Sequence, residues 1–227
     1  RLVKVSGPAA SEDGTYRQEI EGDFLRFELS GSAGGGTWRV LNTNGTMTLY
    51  GADDSSRIAR PDDASRVFLW GFSRATDMNG NYMTASYDAE GREESRVLYL
   101  KEIRYTGNEP AGLAARQWVR FSYRERNEAY VSKSAGFLMR MNRILDAISA
   151  GWDSPAGEQE LWKYDCVYRV SEDSGRPLLS TVRSTHHSTE PGFHYREADH
   201  YFLWRGAANP YAGDPGSEPG GARYFEG

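Results

Sequence analysis

The chain's four histidines, His186, His187, His194 and His200, crowd one short stretch. Glu190, Glu197 and Asp199 are interleaved with them. Imidazole nitrogens beside carboxylate oxygens are the donor set of zinc and related divalent metals. The spacing argues the other way. On a straight strand from Phe193 to Tyr201, His194 and His200 share a face, but six residues of strand separate them by ~20 Å, too far for one ion. Glu197 and Asp199 point to the opposite face. No HExxH pattern is present. The stretch reads as a polar surface loop and strand edge, and no residue is assigned as a metal ligand.

Other groupings meet the same test. Asp77-Met78-Asn79-Gly80-Asn81 offers oxygen ligands at alternate positions, as calcium requires. A calcium loop needs glycine at its sixth position and a bidentate glutamate at its end, where this chain has Tyr82 and Asp88. A hairpin turn is the better reading. The acidic pairs Asp53-Asp54 and Asp62-Asp63, which flank Arg57 and Arg60, could divide acid and base roles if their surroundings drove their pKa values apart, but carboxylates this close together in a loop are more often solvated. Gly34-Gly35-Gly36 lacks the Lys-Ser/Thr of a phosphate loop and reads as a flexible connection. No Gly-x-Ser-x-Gly nucleophile elbow occurs. Cys166, in the alternating run Lys163 to Tyr168, reads as a buried structural thiol. Trp38, Trp70, Trp118, Trp152, Trp162 and Trp204 could stack on sugars, but tryptophans in strands more often form cross-strand pairs and core. No catalytic or cofactor-binding residue is assigned, and the expectation is a protein that is not an enzyme.

Composition narrows the classes further. Of 227 residues, 38% are apolar, 13% aromatic and 26% charged, which describes a folded chain and neither a disordered nor a membrane-spanning one. No run approaches the ~20 apolar residues of a membrane helix. The formal charge of -5 gives no basic footprint for nucleic acid. The lone cysteine excludes an internal disulfide. The chain starts at Arg1 without a charged-then-apolar signal segment, and residues 206–227 are rich in glycine and proline. Both ends read as cut. The expected division is a β domain over 1–205 and a linker over 206–227.

The elements that carry these residues read as short strands joined by turns. Phe24 to Leu29, Trp38 to Leu41 and Thr46 to Tyr50 are strand-like, and Asn44-Gly45 predicts a two-residue type I′ hairpin between the last two. Phe68 to Phe72 and Tyr82 to Tyr87 repeat the arrangement around Asn79-Gly80. Arg96 to Tyr105, Gln117 to Tyr123, Tyr164 to Val170 and Arg176 to Val182 follow. One segment is double-valued. Phe137, Met141, Ile144, Leu145 and Ile148 have helical spacing, while Phe137, Met139 and Met141 fit a strand face. Periodicity leans to a helix of about three turns, because Leu, Met and Arg are good helix formers. The fold class expected is all-β, antiparallel and hairpin-rich, with one short helix as an open alternative at that segment.

Five of these segments, in order, resemble the SpvB-type region that opens the B component of bacterial insecticidal toxin complexes. They are Trp38-Arg39-Val40 with Asn44-Gly45-Thr46 and Tyr50-Gly51; Trp70-Gly71-Phe72 with Asp77 to Tyr82; Tyr99 to Asn108; Ser134 to Arg140 with Arg143-Ile144-Leu145; and Ser174 to Val182. The last is similar to an element shared with YD/Rhs repeats. The resemblance favours a strand at the double-valued segment. It implies a structural segment of a large secreted toxin that contains or delivers an effector domain located elsewhere. The implied partners are other domains or subunits of the same assembly, with no nucleic acid and no membrane span. The alternative is a binding module for carbohydrate or a cell surface, with host-surface carbohydrate as its partner.

Overall fold

The computed structural model describes residues 1–88, 96–187, 194–196, 199–204 and 223–225. These form seventeen strands and two single-turn 3-10 segments. In chain order the strands are β1 (Leu2–Ser6), β2 (Gly14–Gln18), β3 (Arg26–Ser30), β4 (Thr37–Leu41), β5 (Met47–Tyr50), β6 (Arg57–Arg60), β7 (Asp63–Trp70), β8 (Phe72–Thr76) and β9 (Asn81–Tyr87). There follow β10 (Leu100–Asn108), β11 (Gln117–Ser132), β12 (Met139–Ser154), β13 (Gly157–Val170), β14 (Pro177–His187), β15 (His194–Arg196), β16 (His200–Trp204) and β17 (Arg223–Phe225). The class is all-β. The expected linker 206–227 lies outside the described residues apart from β17.

The chain divides into two compact units. One holds residues 1–119 and 129–142, the other 120–128 and 143–227. In the first, the strand order is β1-β2-β3-β4-β5-β8-β9-β10, each neighbour antiparallel, while β6 and β7 pair separately as a two-stranded ribbon. In the second, β12, β13 and β14 are antiparallel neighbours. There β14 pairs with both β15 and β16, and β16 pairs in parallel with β17.

The segment with helical periodicity is extended: Met139–Ser154 is one strand, and no α-helix occurs among the described residues. The apolar residues there occur often enough to satisfy both periods, and cross-strand partners decide between them. Ala147 to Ala150 pair residue by residue with Asp165 to Trp162 on β13. A helix would leave that run of β13 backbone groups without this partner strand.

The hairpin turns fall where expected, but by another geometry. Gly45 has a positive φ of 81° while Asn44 does not. The Gly45 N–H donates to the Asn42 carbonyl at 3.2 Å, and the Asn42 N–H donates to Thr46 at 3.1 Å. This is a three-residue loop closed by a left-handed glycine, in place of the two-residue type I′ turn. The Asn42 side chain explains the preference, since its Oδ1 accepts the Thr46 N–H at 2.9 Å. The loop Asp77 to Asn81 repeats the device: Gly80 N–H to Asp77 at 3.0 Å, Asp77 N–H to Asn81 at 2.9 Å, and the Asp77 carboxylate accepting the Asn79 and Asn81 N–H groups at 2.9 Å.

Phe68 to Phe72 is not one strand. The chain leaves β7 at Trp70, passes Gly71, and enters the main sheet as β8. Gly71 stitches the two together, its N–H donating to Ser56 at 2.7 Å and its carbonyl accepting from Gly51 at 2.8 Å. A β-carbon there would stand 2.7 Å from the Tyr87 hydroxyl and 2.8 Å from Leu98 Cδ1. The Tyr87 hydroxyl in turn donates to the Phe72 carbonyl at 2.9 Å. Gly107 solves a similar problem, because its missing side chain is where the Tyr82 ring lies, 2.2 Å from the would-be β-carbon. Tyr82 carries the Arg74 guanidinium 4.0 Å above its ring, and Arg74 also binds Glu109 at 2.6 Å.

A Gly71→Ala change should therefore destabilise the protein by about 1–3 kcal/mol, as overpacking does. Urea unfolding followed by tryptophan emission measures it. A midpoint equal to the parent's would show that Tyr87 and Leu98 can move aside.

Candidate functional site

A concave feature of the first unit is built by three adjacent strands, β2 to β4, by the β6–β7 ribbon and by the turn at residues 135–137. Register puts Leu29 opposite Trp38 and Gly14 opposite Leu29. Tyr16, two residues beyond Gly14, therefore shares their face. Tyr16 and Trp38 meet edge to face at 5.2 Å. Trp70, arriving from β7, stands at 86° to Trp38 with centroids 6.2 Å apart. Phe68 and Phe137 form a second perpendicular pair at 6.5 Å. These separations are those of favourable edge-to-face contact. The rings wall a cavity of about 710 Å³, with Leu2, Leu29 and Val67 completing its apolar lining and Glu12, Arg60, Ser65 and Arg66 its polar part. Ligand sites commonly have such a volume and such a mixture.

Trp70 is held by backbone. Its indole N–H donates to the Gly35 and Gly36 carbonyls at 3.0 and 3.1 Å. The expectation of a flexible glycine run is thus corrected. Ser32–Gly34 form a 3-10 turn, and Gly35 and Gly36 follow with φ of 96° and 70°. A β-carbon on Gly36 would meet Leu29 Cδ1 at 2.7 Å. Arg57 fixes the same turn by donating to the Gly36 carbonyl at 2.9 Å. The glycines are required because only backbone without side chains can present two carbonyls to the indole while turning left-handed. Tyr16 donates its hydroxyl to the Glu12 carbonyl. Burial, then the Glu12 charge, pushes this phenol above its ordinary value.

The groupings singled out by type are placed as follows. His194 and His200 do not share one strand: β15 and β16 each pair with β14. His187 lies 3.3 Å from Glu160, and His186 packs against Trp162. Glu190, Phe193 and Glu197 lie outside the described residues. Among those described, no group of three or more His, Cys, Asp or Glu side chains is placed to hold a metal ion. The Asp77 carboxylate is taken up by its own turn, and the Asn81 side-chain hydrogen bond chiefly holds its pKa below the ordinary value. Asp53 caps the 3-10 turn at Asp54–Ser56 in a reciprocal capping box. Burial pushes its carboxyl up, but hydrogen bonds from Ser55 and Ser56 outweigh this and leave it lowered. Asp62 binds Arg60 through two contacts at 2.6 and 3.0 Å, and Asp63 accepts from Ser65. These carboxylates organise turns rather than face one another.

Trp118 is 2% exposed, Trp38 and Trp70 belong to the aromatic corner, and Trp162 stacks on Tyr164 in the second unit. The corner escaped the sequence reading because its two tryptophans lie 32 residues apart, on strands of different sheets. Only the shared pattern of Trp38 and Trp70 near turn glycines hinted at it. Cys166 is half-buried on β13. Burial raises its thiol pKa, and burial together with the neighbouring thiol pushes Tyr168 up to about 12.

The family described as Salmonella virulence plasmid 65kDa B protein, SpvB, matches residues 12–133. The mono(ADP-ribosyl)transferase SpvB of Salmonella typhimurium is 27% identical over 121 residues, covering 47% of this chain and 20% of that protein. The same enzyme of Salmonella dublin matches equally. The chain thus spans about one-fifth of the length of these relatives. Among solved structures, TcdB2-TccC3 has a TM-score of 0.69 at 16% identity, over 87% of this chain and 13% of its own. The N-terminal domain of effector protein SpvB from Salmonella typhimurium strain LT2 has 0.65 at 17% identity, over 83% and 74% respectively. The Photorhabdus luminescens Tc holotoxin pore has 0.65 at 14%, over 88% and 12%. These likenesses establish a shared fold.

The raised Cys166 pKa has a kinetic consequence, since the thiolate is the reactive form. Alkylation of the native protein by iodoacetamide should be slower at pH 8 than for a free thiol, with its pH profile displaced upward. Unfolding in urea should return the profile to that of an ordinary cysteine. A native profile at or below the free-thiol value would contradict the burial seen on β13.

Proposed function

We propose, from the premise that the chain belongs to the SpvB family, whose match spans just over half of it, that it is a structural scaffold segment of a large secreted toxin assembly. It helps to contain or deliver an effector domain located elsewhere, and its own role is not catalytic. Its partners are the other domains or subunits of that assembly. The observation that carries this reading is the imbalance between buried and exposed apolar residues. In the first unit the buried hydrophobic side chains are few: Tyr16, Leu29, Ile58, Tyr99 and Trp118. Against them stand Val5 at 57%, Ile20 at 88%, Phe24 at 64% and Met78 at 78% exposure. Val5 lies on β1 and the other three on the turns that follow β2 and β8, so the apolar side chains left open sit along the strand ends, where the neighbouring segments of an assembly would cover them. The fold shared with TcdB2-TccC3, of which this chain matches only a small part, supports the same reading. So does the long run of nearest-neighbour hairpins, which extends a sheet without closing it.

Two measurements test the proposal. Tagged in its source cell, the protein should elute at a mass far above that of 227 residues. Supplied with NAD⁺ carrying a labelled ADP-ribose and a eukaryotic lysate, the purified chain should transfer no label. Elution as a monomer, or label transfer by the chain alone, would sink the scaffold reading.

A further inference from the structure

The aromatic corner carries an inference that is independent of any scaffold role. Its charges decide what it can hold. Two arginines line it, and each already has a carboxylate: Arg60 binds Asp62 at 2.6 Å, and Arg66 lies 3.5 Å from Asp63. The remaining charge in the lining is Glu12, whose carboxylate has the Tyr16 hydroxyl at 3.4 Å and no cation in the pairs the structure shows. The pocket therefore combines one carboxylate that has no ion-pair partner among the described residues with the walls of several aromatic rings. Trp38 and Trp70, mutually perpendicular, form two sides of a corner, and Phe68, 44% exposed, borders the opening. Aromatic faces attract cations, tryptophan most strongly.

We propose that this corner recognises a methylated ammonium group, held by cation–π contact with Trp38, Trp70 and Phe68 and by the Glu12 carboxylate. Hydration selects the class of cation. A primary ammonium carries three N–H donors that lose water on entry and need acceptors. The lining offers one carboxylate and mostly apolar surface, and the Gly35 and Gly36 carbonyls are already engaged by the Trp70 indole. A quaternary ammonium has no donors to satisfy and presents apolar methyl groups to the rings. Neutral sugars fit less well, because their many hydroxyls would meet a lining poor in free partners.

The test is titration of the 227-residue chain with choline chloride and with tetramethylammonium chloride, read by tryptophan emission and calorimetry. Saturable binding of both is expected. The uncharged alcohol in which carbon replaces the choline nitrogen should bind at least about tenfold more weakly. Glu12→Gln, at an exposed position, should weaken choline binding by about tenfold without moving the thermal midpoint. Phe68→Leu, also at an exposed site, should weaken it as well. Cosedimentation with phosphatidylcholine but not phosphatidylglycerol vesicles would support the proposal with a lipid headgroup as the source. Binding of free choline without vesicle association would support it with a small molecule as the source. No saturable response to either cation overturns it. Equal affinity for the neutral alcohol, or no effect of Glu12→Gln, overturns it in favour of an apolar ligand.

Discussion

Two backbone carbonyls, those of Gly35 and Gly36, accept one indole N–H, and much of the first unit is arranged around that contact. The β6–β7 ribbon shares no ladder with the main sheet. It is fastened instead by Trp70, by the Arg57 guanidinium on Gly36, and by the Gly71 peptide between Ser56 and Gly51. An indole N–H buried without an acceptor would cost on the order of 1–3 kcal/mol, so the glycine turn and the tryptophan depend on each other. Once Trp70 is fixed, Trp38 has a perpendicular neighbour and the cavity has two of its walls.

The same economy of contact runs along the sheet. Opposite charges sit on facing residues, as with Glu28 and Arg39, paired in register and joined at 2.9 Å. Arg120 and Glu158 form a two-point pair at 2.6 Å in the second unit. Partly exposed pairs of this kind contribute little to net stability. A pair in register such as Glu28 and Arg39 helps to fix which residues face each other, which matters in a hairpin sheet, where a slip of one residue would turn every apolar side chain to the other face. The abundance of arginine over lysine suits this use, since the planar guanidinium can both bridge a carboxylate and cover a ring, as Arg74 does on Tyr82.

Much of the fold was legible because the information was local. Asn44-Gly45 and Asn79-Gly80 mark hairpins by residue type alone, and alternating apolar runs mark their strands. The details that escaped depend on longer range. Asn42 and Asp77 choose the three-residue loop through side-chain acceptance of an N–H four residues on. Met139–Ser154 satisfied both helical and strand periods, and only the partner strand β13 resolved it. Phe68 to Phe72 reads as one strand-like run, whereas Gly71 within it marks the passage between two sheets. The aromatic corner was the least legible, because Tyr16, Trp38, Trp70 and Phe137 are brought together by topology and not by spacing.

Exposure and concavity in the first unit pull in different directions, and the distinction matters for function. Ile20, Phe24 and Met78 are carried by turns that follow β2 and β8, with Phe24 held at a left-handed φ of 52°. A bulky residue rarely adopts that conformation without support, here from Arg17 donating to the Leu25 carbonyl at 3.2 Å. Such surface is open, and burying it takes a partner that reaches the turns. Tyr16, Trp38 and Trp70 are turned inward and already satisfy one another. A broad partner cannot reach into that corner without a projecting group. The sheet can therefore be covered on its turns while its cavity keeps a separate, small occupant, because the two surfaces are made by different residues.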